Sequence, residues 1–223
     1  MEKVIISWSS GKDSALALYE VMKSPETLVV GLLTTIVKDT NKVSMHHVDR
    51  GLVEQQAAVL GLPLEVVDFN PNDSQAHYET SMRQALKKYM EQGGSAVVSG
   101  DINLVELRKR REENLAQIGL RTIFPLWERD TQELAEHLVQ MGFKTVITSV
   151  DMTVLSRGDL GQVIDAQFLA GLPTGVDPCG ENGEYHSFVF DGPIFKKPIK
   201  YSLGEVTSLD SRYFYCNLFP MTS

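Results

Sequence analysis

The sequence predicts an α/β fold, with a parallel sheet over about residues 1–125 and a smaller α+β portion over 126–223. Three patterns carry that expectation. Short apolar runs alternate with longer amphipathic stretches through the first half, the order that winds helices onto a parallel sheet by right-handed crossovers. The run from Leu28 to Ile36 is continuously apolar or small rather than alternating, as a strand covered on both faces requires. Beyond Asp177 the pieces become short and β-prone. A length of 223 residues suits one domain or a domain with an appendage. At 43% hydrophobic and 22% charged residues the chain has the composition of a globular protein with a core.

Each element follows from its local pattern. Val4 to Trp8 reads as a buried strand, Ser9 to Lys12 as a loop, and Asp13 to about Met22 as a helix. Leu28 to Ile36 is the second strand, Asp49 to Leu60 a helix, and Leu64 to Phe69 a strand. Asp73 or Ser74 caps a helix running to about Gln92, stopped by Gly93-Gly94. Ala96 to Ser99 is a strand, and Leu104 to Ile118 a helix ended by Gly119. After Pro125 come a helix from Thr131 to Met141, a strand from Thr145 to Val150, and a glycine-rich stretch around a helix near 161–170. Ser187–Phe190, Ile199–Ser208 and Tyr213–Leu218 read as strands, the last two joined by a hairpin turn at Asp210-Ser211. No internal repeat or low-complexity segment stands out.

Composition narrows the function classes. The formal charge is −8 and the pI near 5.1, which argues against duplex DNA or an anionic membrane surface as the default partner. Cys179 and Cys216 form neither a disulfide framework nor a four-ligand zinc set. The N-terminal apolar run is too short for a signal peptide, and the longest later run is about half a bilayer-spanning helix. A cytoplasmic protein is the expectation.

The segment Ser9-Ser10-Gly11-Lys12-Asp13-Ser14 stands between the first strand and the first helix. Ligands of open parallel sheets bind there, at the carboxyl ends of strands beside helix N-termini. Hydroxyls, a glycine and helix N–H groups make an anion cradle, and Lys12 adds positive charge. Asp13 repels phosphate unless a cation intervenes, which points to Mg²⁺ on that carboxylate. The segment lacks the spacing G-x-x-x-x-G-K-[ST], and no G-x-G-x-x-G is present. A capped strand-to-helix turn is the plainer reading of the same residues.

With those residues in place, the segment resembles the pyrophosphate loop of PP-loop ATPases, the N-type ATP pyrophosphatases of the adenine nucleotide alpha hydrolase (HUP) group. Further segments resemble one branch, the diphthine–ammonia ligases (diphthamide synthetases) and a shorter bacterial branch related to them. Met45-His46-His47 is similar to that family's M-[FY]-H, and Pro125-Leu126-Trp127 to its P-L-W. Cys179-Gly180-Glu181-Asn182-Gly183-Glu184-Tyr185-His186-Ser187-Phe188, followed by Asp191-Gly192-Pro193-Ile194-Phe195, is similar to C-G-E-x-G-E-Y-[EH]-[TS]-F…D-x-P-x-F. The family's G-A-I-x-S-x-Y-Q-R-x-R-x-E appears with Gly100, Ile102, Arg108, Arg110 and Glu112 kept. Asp101, Leu104, Glu106 and Leu107 replace its Ala, Ser, Tyr and Gln. The likeness covers essentially the whole chain.

The resemblance implies ATP held by Ser9 through Ser14, with His47, Gly100 and Arg108 also at the nucleotide. It implies catalysis by Lys12, Asp13, Asp101, Glu181 and Glu184, and acceptor binding by Arg110, Glu112, Cys179, Gly180, Gly183, Tyr185 and His186. Plainer readings compete. Asp101 also suits a helix N-cap, and His47 a half-buried histidine. Arg108 and Glu112, at i,i+4, also suit a solvated charged face. Two glycines around Glu181 also suit a turn, although a turn does not explain the density of ionisable groups. The expected activity is ATP cleavage to AMP and pyrophosphate, with adenylation of a carboxylate acceptor that ammonia then attacks. The alternatives are an ATP-binding sensor without turnover and an RNA-modifying PP-loop enzyme.

Overall fold

In the computed structural model, which describes residues 1–208 and 211–221, the chain forms two sheets that share one core. The first half runs β1 (Glu2–Ser7), α1 (Lys12–Met22), β2 (Thr27–Val37), β3 (Lys42–Val43), α2 (Arg50–Leu60), β4 (Leu64–Phe69), α3 (Gln75–Glu91), β5 (Gly94–Val98), α4 (Val105–Ala116) and β6 (Arg121–Ile123). The second half runs α5 (Thr131–Gln140), β7 (Lys144–Asp151), a 3₁₀ turn (Arg157–Asp159), α6 (Ala166–Ala170), β8 (Tyr185–Asp191), β9 (Tyr201–Ser208) and β10 (Tyr213–Pro220).

β1 pairs in parallel with β2 on one side and β5 on the other; β2 continues to β4, and β5 to β6. The two-residue β3 adds an antiparallel edge to the end of β2. Chain order therefore reverses between β1 and β5, the switch point where an open parallel sheet leaves a crevice at its carboxyl edge. Successive side chains of β1 serve opposite faces. Val4, Ile6 and Trp8 enter the larger core with Leu16, Leu18 and Leu52, while Ile5 joins Leu86, Tyr89 and Val97 on the α3–α4 side. The second sheet, β8–β7–β10–β9, is antiparallel throughout. Its Val146, Phe188, Val189, Cys216 and Leu218 pack into that larger core, where β8 meets α1 and β10 meets α2. Its other face closes over Ile147, Val150, Phe168 and Tyr185.

The expected parallel α/β half and α+β half are both observed. Ser74 caps α3 by accepting from the His77 N–H. Asp210 of the expected β9–β10 turn lies outside the described residues. The helix expected near 161–170 is only the single turn Ala166–Ala170, because the preceding segment is spent on the 3₁₀ turn and a bridge from Val163 to Val146. Among the described residues, no helix is long and apolar enough to cross a membrane.

Candidate functional site

A crevice of about 570 Å³ opens at the β1/β5 switch. Three loops frame it: Ser9–Ser14 after β1, Gly100–Asp101 after β5, and Gly180–His186 leading into β8.

The first loop is held in an unusual shape. Ser10 has φ 72°, a left-handed conformation costing roughly 1–3 kcal/mol in a non-glycine residue, and is fully buried. Its carbonyl is fixed from two directions, accepting from Gln56 Nε2 at 3.0 Å and from the Val189 N–H at 3.0 Å. Gln56 also donates to the Val189 carbonyl at 2.7 Å and accepts from Trp8 Nε1 at 2.8 Å. One buried amide thus clamps strand end, loop and second sheet together. Helix α1 then begins at Gly11 with no side-chain cap, which leaves its first turn facing the crevice. Ser14 Oγ donates to the Gly11 carbonyl at 2.9 Å, and Ser9 Oγ lies 3.2 Å from Ser14 Oγ.

Lys12 is buried, its Nζ 2.9 Å from Asp13 Oδ2 and 5.1 Å from the centre of the Tyr185 ring. Burial disfavours the ammonium, but the neighbouring Asp13 carboxylate outweighs it, and the Lys12 pKa is raised. Lys12 is therefore charged at neutral pH. A Cβ on Gly100 would lie 2.7 Å from the Asp13 carbonyl carbon and oxygen, so only glycine lets the β5 end approach the α1 terminus this closely.

On the opposite wall Asp101 pairs with Arg111, Oδ2 lying 2.9 Å from Nε and Oδ1 3.4 Å from Nη2. The 2.9 Å contact is an ion pair off the hydrogen-bond direction, since neither Nε nor Oδ2 has a well-aligned partner. Burial raises the Asp101 pKa, and Arg111 opposes that rise. Glu181 ties the third loop to the second, its Oε1 accepting from the Ile102 and Asn103 N–H groups at 2.9 Å each. Burial also raises its pKa, against those two donors.

The sequence-predicted residues separate into two sets. Ser9, Lys12, Asp13, Ser14, Gly100, Asp101, Gly180, Glu181, Gly183, Tyr185 and His186 line the crevice, with Ser10 and Gly11 holding the loop between them. Glu184 does not line it. Its Oε1 accepts from the Asp177 N–H and Asn182 Nδ2, and its Oε2 from the Asn182 N–H, so both oxygens are spent inside the loop. Cys179 is buried with Sγ donating to the Thr131 carbonyl, and burial pushes its thiol up to about 12 against the pull of Lys12. That thiol is inert at neutral pH.

Arg108 turns away, its guanidinium over Trp127 at 4.4 Å and its Nε on Glu112 at 2.9 Å, so Glu112 is equally remote. Arg110 lines a neighbouring cavity of about 310 Å³ between α3 and α4. His47 stacks on Tyr215 at 4.6 Å, outside the crevice, with its pKa lowered to about 4 by burial and by Lys42. The residues of those two segments that do line the crevice are Arg111 and His46. Met45 and His47 both have positive φ, 65° and 57°, and this twist sends the adjacent histidines opposite ways. A run His46-His47 carries no signal for which one faces in.

Family-model comparison matches the diphthamide synthase N-terminal domain over residues 2–122 and the diphthamide synthase C-terminal domain over residues 130–216. The chain is similar to the diphthine–ammonia ligase of Bos taurus, 25% identical over 223 residues covering 90% of this chain and 83% of that one. A segment is 32% identical over 120 residues to the diphthine–ammonia ligase of Schizosaccharomyces pombe, covering 52% of this chain and 20% of that larger protein. Among solved structures, a phosphoadenylyl-sulfate reductase from Candida auris overlaps at a TM-score of 0.38 and 16% identity, over 63% of this chain and 73% of its own. With both family domains matched in order and the three loops meeting at one crevice, the chain belongs to the diphthamide synthase family.

Proposed function

We propose that the protein is an ATP-dependent amide ligase that splits ATP to AMP and pyrophosphate, joining ammonia to a carboxylate acceptor as a diphthine–ammonia ligase does. The observation that carries this reading is the meeting of an anion cradle, a charged lysine and two further loops at one switch-point crevice. Residues 1–125 supply the nucleotide walls, and 126–223 bring the Gly180–His186 loop that frames the acceptor.

The first turn of α1 would receive the phosphates, with the Ser9 and Ser14 hydroxyls, which bond to each other and to the Gly11 carbonyl in the free protein, turning to the ligand. Lys12 sets a fixed positive charge against the negative charge that builds on departing pyrophosphate, without reorganising at the moment of reaction. Arg111 is the guanidinium lining the crevice among the described residues, and Asp101 fixes its direction toward an acceptor carboxylate or a phosphate. Glu181 locks the acceptor loop to the β5 end, holding the two substrates' walls at constant separation.

The residues also fit Mg²⁺. Asp13 is partly exposed to the crevice, and Lys12 engages only its Oδ2, leaving an oxygen for a cation that keeps most of its waters and shares phosphate ligands. Such an ion would supply positive charge against the negative charge that develops on departing pyrophosphate.

The test is product analysis with ATP, ammonium and candidate acids, including diphthine-bearing elongation factor. AMP and pyrophosphate should form together with an amide. Release of ADP and phosphate instead, or nucleotide binding with no turnover on any acid, refutes the proposal.

A further inference from the structure

Two neutral imidazoles stand side by side in the crevice. His46 enters from the loop after β3 with Nδ1 3.0 Å from the Ser187 carbonyl oxygen. A carbonyl only accepts, so Nδ1 carries the proton and Nε2 is left with its lone pair. The ring is seated against the phosphate loop, since a Cβ on Gly11 would lie 2.5 Å from His46 Cε1 and 2.8 Å from Nδ1. His186, next to Tyr185 at the start of β8, lies with its ring centre 4.7 Å from that of His46 at an angle of 38°. Both rings line the crevice, and among the described residues neither His186 nitrogen nor His46 Nε2 hydrogen-bonds to the protein. Burial lowers the pKa of both; at His186 the neighbouring His46 and then Lys12 add to the effect, and at His46 the Ser187 carbonyl and Asp13 partly offset it while Lys12 adds to it.

The carboxylates of the same loop are engaged, Glu184 through both oxygens on loop donors and Glu181 through one, Oε1, which holds two backbone N–H groups. The nitrogen bases beside Lys12 and the acceptor loop, lining the crevice together with Asp13 and Glu181, are these two imidazoles.

We propose that His46 and His186 form the ammonia site of the crevice, receiving the ammonium ion and taking the protons it must shed. The inference rests on the amide-ligase reading above. Ammonium carries four protons and the amide product keeps two. His46 Nε2 takes the first, which frees the lone pair that forms the C–N bond at the activated carbonyl carbon. The C–O bond to AMP then breaks, its electron pair leaving on the AMP phosphate oxygen. His186 takes the second proton from the nitrogen, and both imidazoles return their protons to water in the open crevice. General-base catalysis of this kind contributes typically about 10²–10⁴-fold.

Two measurements test it. In protein labelled with ¹⁵N-histidine, long-range proton–nitrogen spectra should show His46 protonated at Nδ1 and bare at Nε2. Ammonium chloride should then shift ring nitrogens of both histidines, while sodium chloride at equal ionic strength should not. The opposite tautomer, or no ammonium-specific shift, overturns the proposal whatever the acceptor.

The second measurement uses ATP and diphthine-bearing elongation factor. His46→Gln and His186→Gln should each lower amide formation from ammonium by about 10²-fold or more, with a much smaller change in ATP–pyrophosphate exchange. Hydroxylamine, unprotonated at neutral pH, should recover most of the rate. Variants that amidate normally with ammonium refute the ammonia site, whereas a wild-type enzyme that makes no AMP refutes the ligase reading and leaves the spectroscopic result to decide the site.

Discussion

Replacing Gln56 with Met keeps length and approximate volume while deleting three buried hydrogen bonds, to Trp8 Nε1, the Ser10 carbonyl and the Val189 carbonyl. The Trp8 N–H loses its acceptor outright, and a buried orphan donor costs about 1–3 kcal/mol. The Ser10 carbonyl retains the Val189 N–H, so its loss is one net hydrogen bond, about 0.5–1.5 kcal/mol, and the Val189 carbonyl loses a similar amount. The sum is about 2–6 kcal/mol. For chains of 150–250 residues each kcal/mol moves Tm by about 2–4 °C, so Gln56→Met should lower it by roughly 4–24 °C. Urea unfolding should show a lower midpoint at unchanged slope. ATP affinity should fall too, because the left-handed Ser10 loses half of what restrains it. A stability loss below about 1 kcal/mol with ATP binding intact would show that the clamp does not hold the loop, and the reasoning would fail.

Three further outcomes follow from single contacts. Gly11→Ala places a methyl 2.5 Å from His46 Cε1 and 3.0 Å from the Ser187 carbonyl, so it should cost about 1–3 kcal/mol in chemical unfolding and weaken nucleotide binding measured by calorimetry. Glu184→Gln turns a three-donor acceptor into a group with its own N–H donors facing N–H donors, and should lose about 1.5–3 kcal/mol; Glu181→Gln keeps an oxygen for Ile102 and Asn103 and should lose less. Asp151, held at about 2 by its hydrogen bonds from Arg212 against the cost of burial and aided by Thr153, is depressed below its unfolded value. Its contribution is complete above about pH 4 and disappears as pH falls through about 2, so Asp151→Asn should flatten the acid limb of stability when urea midpoints are compared from pH 5 to 2.

Local pattern alone marked β1, the Ser9–Ser14 loop, α1 and most later elements, because apolar periodicity and caps are properties of neighbours in sequence. β3 and β6 escaped it: two and three residues are too few for a period, and both exist only because a longer strand offers them a ladder. Helix α4 was legible as a helix but not in its rotation. It buries no residue, so no apolar stripe tells whether Arg108, Arg110 or Arg111 faces the crevice. Gln56 reads as one polar residue on an amphipathic helix, and nothing nearby in sequence announces that its partners are Trp8, Ser10 and Val189.

The sequence by itself pointed to Ser9–Ser14 as the candidate anion loop and to the family that the glycine-rich loops resemble, since a glycine, a lysine and a helix start act at short range. Tertiary structure decided which charged groups meet. His46 over His47 depends on a backbone twist and on a contact 141 residues along the chain. Arg111 over Arg108 and Glu184 as a strut rest on nearer partners, 10 and 7 residues away, but on a helix rotation and a loop path about which sequence spacing carries no directional information.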